Sequence, residues 1–497
     1  MTGLRSEKNM RWNDPALSFT RPIRWLTALL GNIVVPADVS SLAVGRTTRV
    51  LRTADQPVVT VPTAAGYVEF LAEHDIVVDA NVRRRQIIDM AQDLAVVVGG
   101  RVDVDAEAAL VDEITNLVEQ PNALLGSFEE SYLELPEQVL TTVMRKHQRY
   151  LPVRATDGSL LPHFVAVANG ACDPDVVRAG NEAVLRARYE DAAFFWRADL
   201  EIKPEDFLAG LEKLTFEARL GSMADRAGRI GAIAAELAQV AELHGAEAKT
   251  LVRASSLAKF DLASQMVVEL SSLAGVMARE YAVRAGEPEA VAQALFEIEL
   301  PRHTSDILPA GTPGAVLALS DRFDLLMGMF ALGAKPTGSS DPFGLRRAAL
   351  GVVQILRAFS DLAAVTISRG LDAAAGQLRT QGVDVSADAV EAAHEFVVGR
   401  FEQQLRDEGV PADFVAAVRP GADAPGRAYA TLGMLRERAD DQQFVALVVA
   451  LQRIARIVPS GTEPVFDPAV LTEPAEVTLV KAVADTADFS GGDVAEF

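Results

Sequence analysis

The chain has 497 residues, 49% of them hydrophobic and 23% charged, which is typical of a globular protein with roughly two to four domains. Its formal net charge of −22 excludes broad, nonspecific binding to nucleic acid but allows a local basic face. The single cysteine, Cys172, excludes an internal disulfide bond and a cysteine-rich zinc site.

No membrane association is expected. No apolar run reaches about 18 residues without a charge, and residues 1–11 lack the apolar core of a signal peptide. These features predict a cytoplasmic protein.

Residues 1–203 are predicted to form a mixed α/β domain. Runs rich in β-branched residues predict strands, and apolar residues at helical spacing predict helices. The predicted strands are 32–36, 58–61 and 164–168. The predicted helices are 67–73, 81–98, 112–119 and 136–144.

Residues 204–345 are predicted to be mostly helical, and residues 346–497 to form a further helical region. The helical segments before residue 345 are 230–243, 246–260, 262–284, 287–300 and 316–331. Pro309 and Pro313 predict a loop before the last of these segments, because proline disrupts a helix interior.

The stretch from Lys335 to Arg347 reads KPTGSSDPFGLRR and separates two apolar helical segments. Its prolines and glycines exclude a continuous helix, and Asp341-Pro342 is typical of an N-cap followed by proline at the first helical position. Arg346 and Arg347 would then lie near a helix N-terminus, where anions are favoured. The alternative is a capped helix with two solvated arginines.

Several motifs occur in order along the chain. They are MRW at 10–12 with FTRPIRW at 19–25, TNLVEQP at 115–121, HQRY at 147–150, GNEAVLRARYEDAAFF at 180–195, and PTGSSDPFGLRR at 336–347. Together they resemble the β subunit of bacterial heterotetrameric glycyl-tRNA synthetase. Relative to that family the chain looks shortened at both ends, with the C-terminal anticodon-binding domain missing.

The resemblance implies an α+β fold in which the N-terminal mixed region precedes a mostly helical, degenerate HD-like domain and a further helical region. It implies a chain that binds and positions tRNA(Gly), while the α subunit of an α2β2 assembly attaches glycine. ATP and magnesium are expected on the α subunit, and no catalytic or cofactor-binding residue is expected in this chain. The candidate tRNA contacts are Arg145, Lys146, His147, Arg149, Tyr150, Arg346 and Arg347.

HD-type domains hold metal with a histidine, a His-Asp pair and a later aspartate. Here Lys259-Phe260-Asp261 stands in place of the pair, and the later aspartate is Asp321 or Asp324. A lysine repels a cation, and no histidine lies near these positions in sequence, so no metal is expected.

Two other functions stay open. One is a noncatalytic RNA-binding or scaffold protein descended from the synthetase subunit, and the other is an HD-type phosphohydrolase, which the missing histidines disfavour. The sequence has no GxxxxGK phosphate loop and no GxGxxG motif. Several side chains also have a purely structural interpretation. His147 would be solvated or bonded to the backbone, Arg186 and Arg188 would pair with Glu182 and Asp191 on a helix surface, and residues 194–196 would anchor a helix in the core.

Overall fold

The computed structural model divides into two compact units, residues 1–429 and 430–497. The described residues are 9–11, 18–20, 23–39, 41–338, 340–457, 467 and 470–486. Trp12, Arg21, Pro22 and Ser339 of the sequence motifs lie outside them. The fold is α+β, with short strands in the N-terminal part and helices dominating from residue 174 onward. The division into three regions at residues 203 and 345 stays a prediction.

The strands are short, and most of them pair with a neighbour in sequence. They are β1 (Met10–Arg11), β2 (Ser18–Phe19), β3 (Leu26–Thr27), β4 (Leu29–Leu30), β5 (Ile33–Val34), β6 (Asp38–Val39), β7 (Leu42–Gly45), β8 (Thr47–Arg49), β9 (Val58–Thr60), β10 (Pro121–Ser127), β11 (Leu151–Arg154), β12 (Leu160–Asn169), β13 (Thr215–Glu217) and β14 (Gly221–Ser222).

The helices carry most of the described chain. They are α1 (Tyr67–Ala72), α2 (Ala80–Val97), α3 (Ala108–Leu117), α4 (Glu137–Thr142), α5 (Pro174–Leu200), α6 (Pro204–Leu211), α7 (Met223–Val240), α8 (Gly245–Ser256), α9 (Gln265–Glu269), α10 (Val276–Arg284), α11 (Glu289–Glu297), α12 (Thr312–Ala331), α13 (Leu345–Ala358), α14 (Ile367–Thr380), α15 (Ala387–Asp407), α16 (Ala412–Val418), α17 (Pro425–Arg438), α18 (Gln442–Ile457) and α19 (Pro474–Thr486).

An antiparallel sheet in the order β10-β12-β11 forms the centre of the N-terminal part. Helices α2 and α5 pack on β10, and Ile87 of α2 is fully buried in one cluster with Leu151 and Val165 of the sheet. Gly126 lies against the ring of Phe164, where an added Cβ would come within 2.3 Å of a ring carbon. The absence of a side chain at Gly126 therefore lets the aromatic ring cross β10.

Helix α12 is the core of the helical part. Seventeen of its twenty residues are buried, and it packs against α7, α8, α11, α13, α14 and α15. A helix that is apolar on all sides has no solvent face, so its position inside a bundle follows from its sequence. The few polar residues within it, including Arg322 and Asp324, must find partners inside the protein.

Two helical predictions are wrong in detail. The segment 262–284 is not one helix, because α9 and α10 are separated by a turn in which Gly275 has φ +77°. Pro313 lies in the first turn of α12 rather than in a loop. Proline is tolerated there, since the first backbone N–H groups of a helix have no partner within it.

The unit of residues 430–497 contains α18 and α19. Exposed apolar side chains occur along α18, at Val445, Leu447, Val449 and Leu451. Among the described residues, no helix combines the length and the apolar character needed to cross a membrane.

Candidate nucleic-acid interface

The arginines of the first predicted basic cluster are paired with carboxylates. The Nε of Arg145 donates to both Glu107 oxygens at 2.8 and 2.9 Å, and its Nη2 donates to the same carboxylate. Glu107 is only 3% exposed. The Nε of Arg149 donates to Glu113 at 2.8 Å. Much of the positive charge that the sequence suggested is therefore neutralised within the protein.

Tyr150 lies in the core rather than on a binding surface. Its side chain is 6% exposed, and its ring stacks on that of Phe164 with centroids 4.5 Å apart. Burial raises the pKa of Tyr150 to about 12. A base could stack on this ring only if the packing were broken. Lys146 and His147 are exposed, and their contact with tRNA stays a prediction.

The linker before α13 caps the helix differently from the prediction. The helix begins at Leu345, after Gly344 in a left-handed conformation with φ +68°, so Pro342 is not its first residue. The Asp341 carboxylate accepts from the backbone N–H groups of Leu345 at 2.8 Å and Arg346 at 2.9 Å. This carboxylate occupies the helix end that the sequence suggested for an external anion.

Arg346 and Arg347 line a cleft of about 810 Å³ bounded by the linker, α13 and α15. The Nη2 of Arg346 donates to the carbonyl of Gly338 at 2.7 Å, which ties the linker to the helix. Arg347 is exposed and makes no hydrogen bond or ion pair with another described residue. Among the described residues, it is therefore a cation without a counterion at the edge of the cleft.

The α15 wall of this cleft carries unsatisfied polar atoms. The Nε of Arg400 and the Oε1 of Gln404 are buried without a hydrogen-bond partner among the described residues. Such an atom costs about 1–3 kcal/mol unless water or a ligand satisfies it. The opposite wall, with Arg346 and Arg347, therefore faces groups that can accept further hydrogen bonds or donate them.

Lys259, which stands in place of a metal ligand of HD-type domains, contacts two acidic residues. Its Nζ lies 2.6 Å from Glu299 Oε1 and 3.2 Å from Asp321 Oδ1, and its side chain is 6% exposed. Burial favours a raised pKa for Asp321, but Lys259 and Arg226 outweigh it and hold that pKa below its ordinary value.

The remaining aspartates of this centre also have partners in the protein. Arg229 donates to Asp324 through Nε and, at 3.1 Å, through Nη2. Asp261 accepts from the Gly275 N–H at 2.7 Å, and burial raises its pKa to about 6. No group of three or more histidine, cysteine or acidic residues suited to a metal occurs in the described part. An ammonium group between two carboxylates does not fit an HD-type metal centre.

Two predictions for helix α5 differ from the structure: the ion pairs along its surface and the core anchor at 194–196. Glu182 accepts from the backbone and hydroxyl of Ser127, and Arg186 lies 3.7 Å from Glu129 instead of pairing along the helix. In the predicted core anchor, Trp196 is buried against Tyr281, but Phe194 is 60% exposed.

Sequence reasoning missed Glu107, Arg226, Glu299 and Arg400. The first three lie far along the chain from their ion-pair partners; Glu107 is 38 residues from Arg145, and Arg226 is 95 residues from Asp321. No local pattern signals such pairs, because the packing of separate helices creates them.

Comparison with known proteins places the chain among the aminoacyl-tRNA synthetases. A family model described as glycyl-tRNA synthetase beta subunit matches residues 1–420, and the chain belongs to that family. The sequence motifs had predicted this membership, which the match confirms.

Three relatives illustrate the similarity. Glycine–tRNA ligase, chloroplastic/mitochondrial 2, of Arabidopsis thaliana is 40% identical over 91% of this chain and 42% of its own length. The glycine–tRNA ligase beta subunit of Desulforamulus reducens is 39% identical over 96% of this chain and 69% of its own. The beta subunit of Shouchella clausii is 38% identical over 94% and 67%. The chain thus spans less than half of the plant protein and about two thirds of the bacterial subunits.

Proposed function

We propose that this chain is the β subunit of a glycyl-tRNA synthetase, which binds tRNA(Gly) and positions it for an α subunit that attaches glycine. The α subunit would carry ATP and magnesium, and the assembly would be an α2β2 heterotetramer in the cytoplasm. Membership in the family over residues 1–420 supports this proposal. The helical part is proposed to be a degenerate HD-like domain without catalytic metal.

Arg347 is the observation that carries the role in tRNA binding. A protein of net charge −22 repels RNA at long range, so contact requires a local cation whose charge is not already neutralised. Arg145 and Arg149 are paired with glutamates, whereas Arg347 has no carboxylate partner among the described residues. In the same cleft, Arg346 retains N–H groups beyond the one that binds Gly338.

Aminoacylation with separately purified subunits tests the proposal. We expect glycyl-tRNA to form only when this chain and the α subunit are both present. We also expect the chain alone to catalyse no glycine-dependent pyrophosphate exchange with ATP.

Clear exchange by the isolated chain would refute the assignment of glycine activation to the α subunit. Binding of tRNA without stimulation of aminoacylation would instead favour a noncatalytic RNA-binding or scaffold protein descended from this subunit.

A further inference from the structure

We propose that a second, smaller cavity beside the cleft binds a nucleotide, with its phosphate group near Arg322 and Arg347 and its base against Phe343. The cavity has a volume of about 280 Å³. That volume corresponds to roughly nine water molecules at about 30 Å³ each, which is ample for a phosphate group. Its lining residues are Glu299, Pro301, Arg302, Asp321, Arg322, Leu325, Phe343, Gly344, Arg347 and Ala348.

The charges around this cavity do not balance. Its two carboxylates, on Glu299 and Asp321, are both engaged by Lys259, and Asp321 also accepts from Arg226 at 3.0 Å.

The three arginines that line the cavity differ in whether they have an ion-pair partner. Arg302 pairs with Asp306 at 2.9 Å. Arg322 donates to backbone carbonyls, and neither it nor Arg347 forms an ion pair with any described residue. Within the part of the chain that the structure describes, the cavity therefore has two positive charges without their own carboxylates.

Arg322 is the buried one of these two cations, with a relative exposure of 6%. Its terminal nitrogens donate to backbone carbonyls at 2.9 to 3.3 Å, which lie on Ile298, Glu299, Pro301 and Ala318. Carbonyl dipoles satisfy its N–H groups but carry no net charge. Asp321 and Glu299 attract the guanidinium from beyond ion-pair distance, and both are shared with Lys259. A phosphate group in the cavity would supply a closer counterion.

Gly351 makes the buried position of Arg322 possible. A Cβ at this glycine would lie 2.5 Å from the Arg322 Nε. The side chain of Arg322 is thus held against α13, and its charge acts on the cavity from a fixed place. Arg347 is exposed and lines both the cavity and the larger cleft, so it can donate directly to an incoming phosphate.

Phe343 supplies the aromatic surface that distinguishes a nucleotide from a simple anion. Its side chain is 41% exposed, and it lines the same cavity as Arg322 and Arg347. Bases of any identity stack on such rings, because every base has a π face. A phosphate site next to an exposed aromatic ring therefore fits a nucleotide unit, either free or within a single-stranded segment of RNA.

Calorimetric titration of the full chain with AMP and with inorganic phosphate tests this site without tRNA or an α subunit, so its outcome is independent of the proposed function. We expect both to bind, with AMP tighter by about five- to a hundredfold through stacking. Phe343→Ala should reduce AMP affinity to that of phosphate. Arg347→Gln should weaken both ligands about tenfold or more.

Arg369→Gln is the matched control, because Arg369 is an exposed arginine on α14 that lines neither cavity. Thermal denaturation should be unchanged in all three variants. Absence of binding to both ligands, or affinities that do not respond to Phe343→Ala and Arg347→Gln, would overturn the proposal. Displacement of AMP by tRNA would identify an RNA nucleotide as the occupant, and simultaneous binding would identify a free nucleotide.

Discussion

Arg347→Ala should weaken tRNA binding without changing stability, whereas Arg145→Ala should lower stability without changing tRNA binding. Both arginines were candidate phosphate contacts. Arg347 is exposed and has no ion-pair partner among the described residues. Arg145 makes several hydrogen bonds to the carboxylate of Glu107. The two substitutions therefore separate an RNA-binding role from a structural one.

For Arg347→Ala, the expected change is in salt dependence. Each phosphate contact that is lost should reduce the slope of log affinity against log salt by roughly 0.7 to 0.9. Because Arg347 has no hydrogen-bond or ion-pair partner among the described residues, stability should stay within about 0.5 kcal/mol of the wild type.

For Arg145→Ala, the expected change is in stability. Glu107, which is 3% exposed, would keep a buried carboxylate without its cation. Breaking a fully buried pair costs about 3–5 kcal/mol, and Arg145 is 36% exposed, so we expect about 2–3 kcal/mol. The salt slope should not change, since the guanidinium is already neutralised.

The assay is a fluorescence-anisotropy titration of labelled tRNA over a series of salt concentrations, with thermal denaturation of the same samples. Arg149→Ala serves as a control for a solvent-exposed ion pair. Its partner Glu113 is 48% exposed, so loss of the pair should lower the free energy of unfolding only slightly. An unchanged salt slope in Arg347→Ala would refute the tRNA contact. A flattened slope in Arg145→Ala would show that the pairing with Glu107 does not decide which arginine binds RNA.

Three further predictions concern ionisable groups of the fold and metal binding. His394 Nε2 lies 3.0 Å from Asp423 Oδ1, and this hydrogen bond raises the His394 pKa. The stabilisation is therefore present below the ordinary histidine pKa and lost as pH rises through the folded value, so His394→Gln should lower Tm more near about pH 5.5 than near about pH 9. Equal losses at both would contradict this reasoning. Lys259→Met should cost about 2–4 kcal/mol, because Glu299 and Asp321 would face each other without the ammonium. Elemental analysis and manganese titration of the wild type should find no stoichiometric metal, and manganese-dependent phosphatase activity would overturn that expectation.

The amino-acid sequence alone determined the family and the approximate positions of many elements. Helices at 67–73 and 81–98 and a strand at 164–168 were predicted from spacing and β-branched residues, and α1, α2 and β12 confirm them. Such elements follow from local preferences and from the pattern of apolar residues, both of which can be read within one segment.

Local patterns failed where a residue's conformation depends on distant contacts. The segment 262–284 looked continuous, but Asp261 binds the N–H of Gly275, which has a left-handed conformation between α9 and α10. Asp341 was identified correctly as a residue that caps α13, but Gly344 sets the start of the helix three residues later than predicted.

Only the tertiary structure decided which charged and aromatic groups are available for function. Arg145 and Arg347 look equivalent in the sequence, yet Glu107 neutralises one of them and no described carboxylate neutralises the other. Tyr150 lies next to exposed basic residues in sequence but is buried against Phe164. The physical reason is that burial and charge pairing depend on which side chains approach from other elements, and packing of the helices and the sheet sets those approaches.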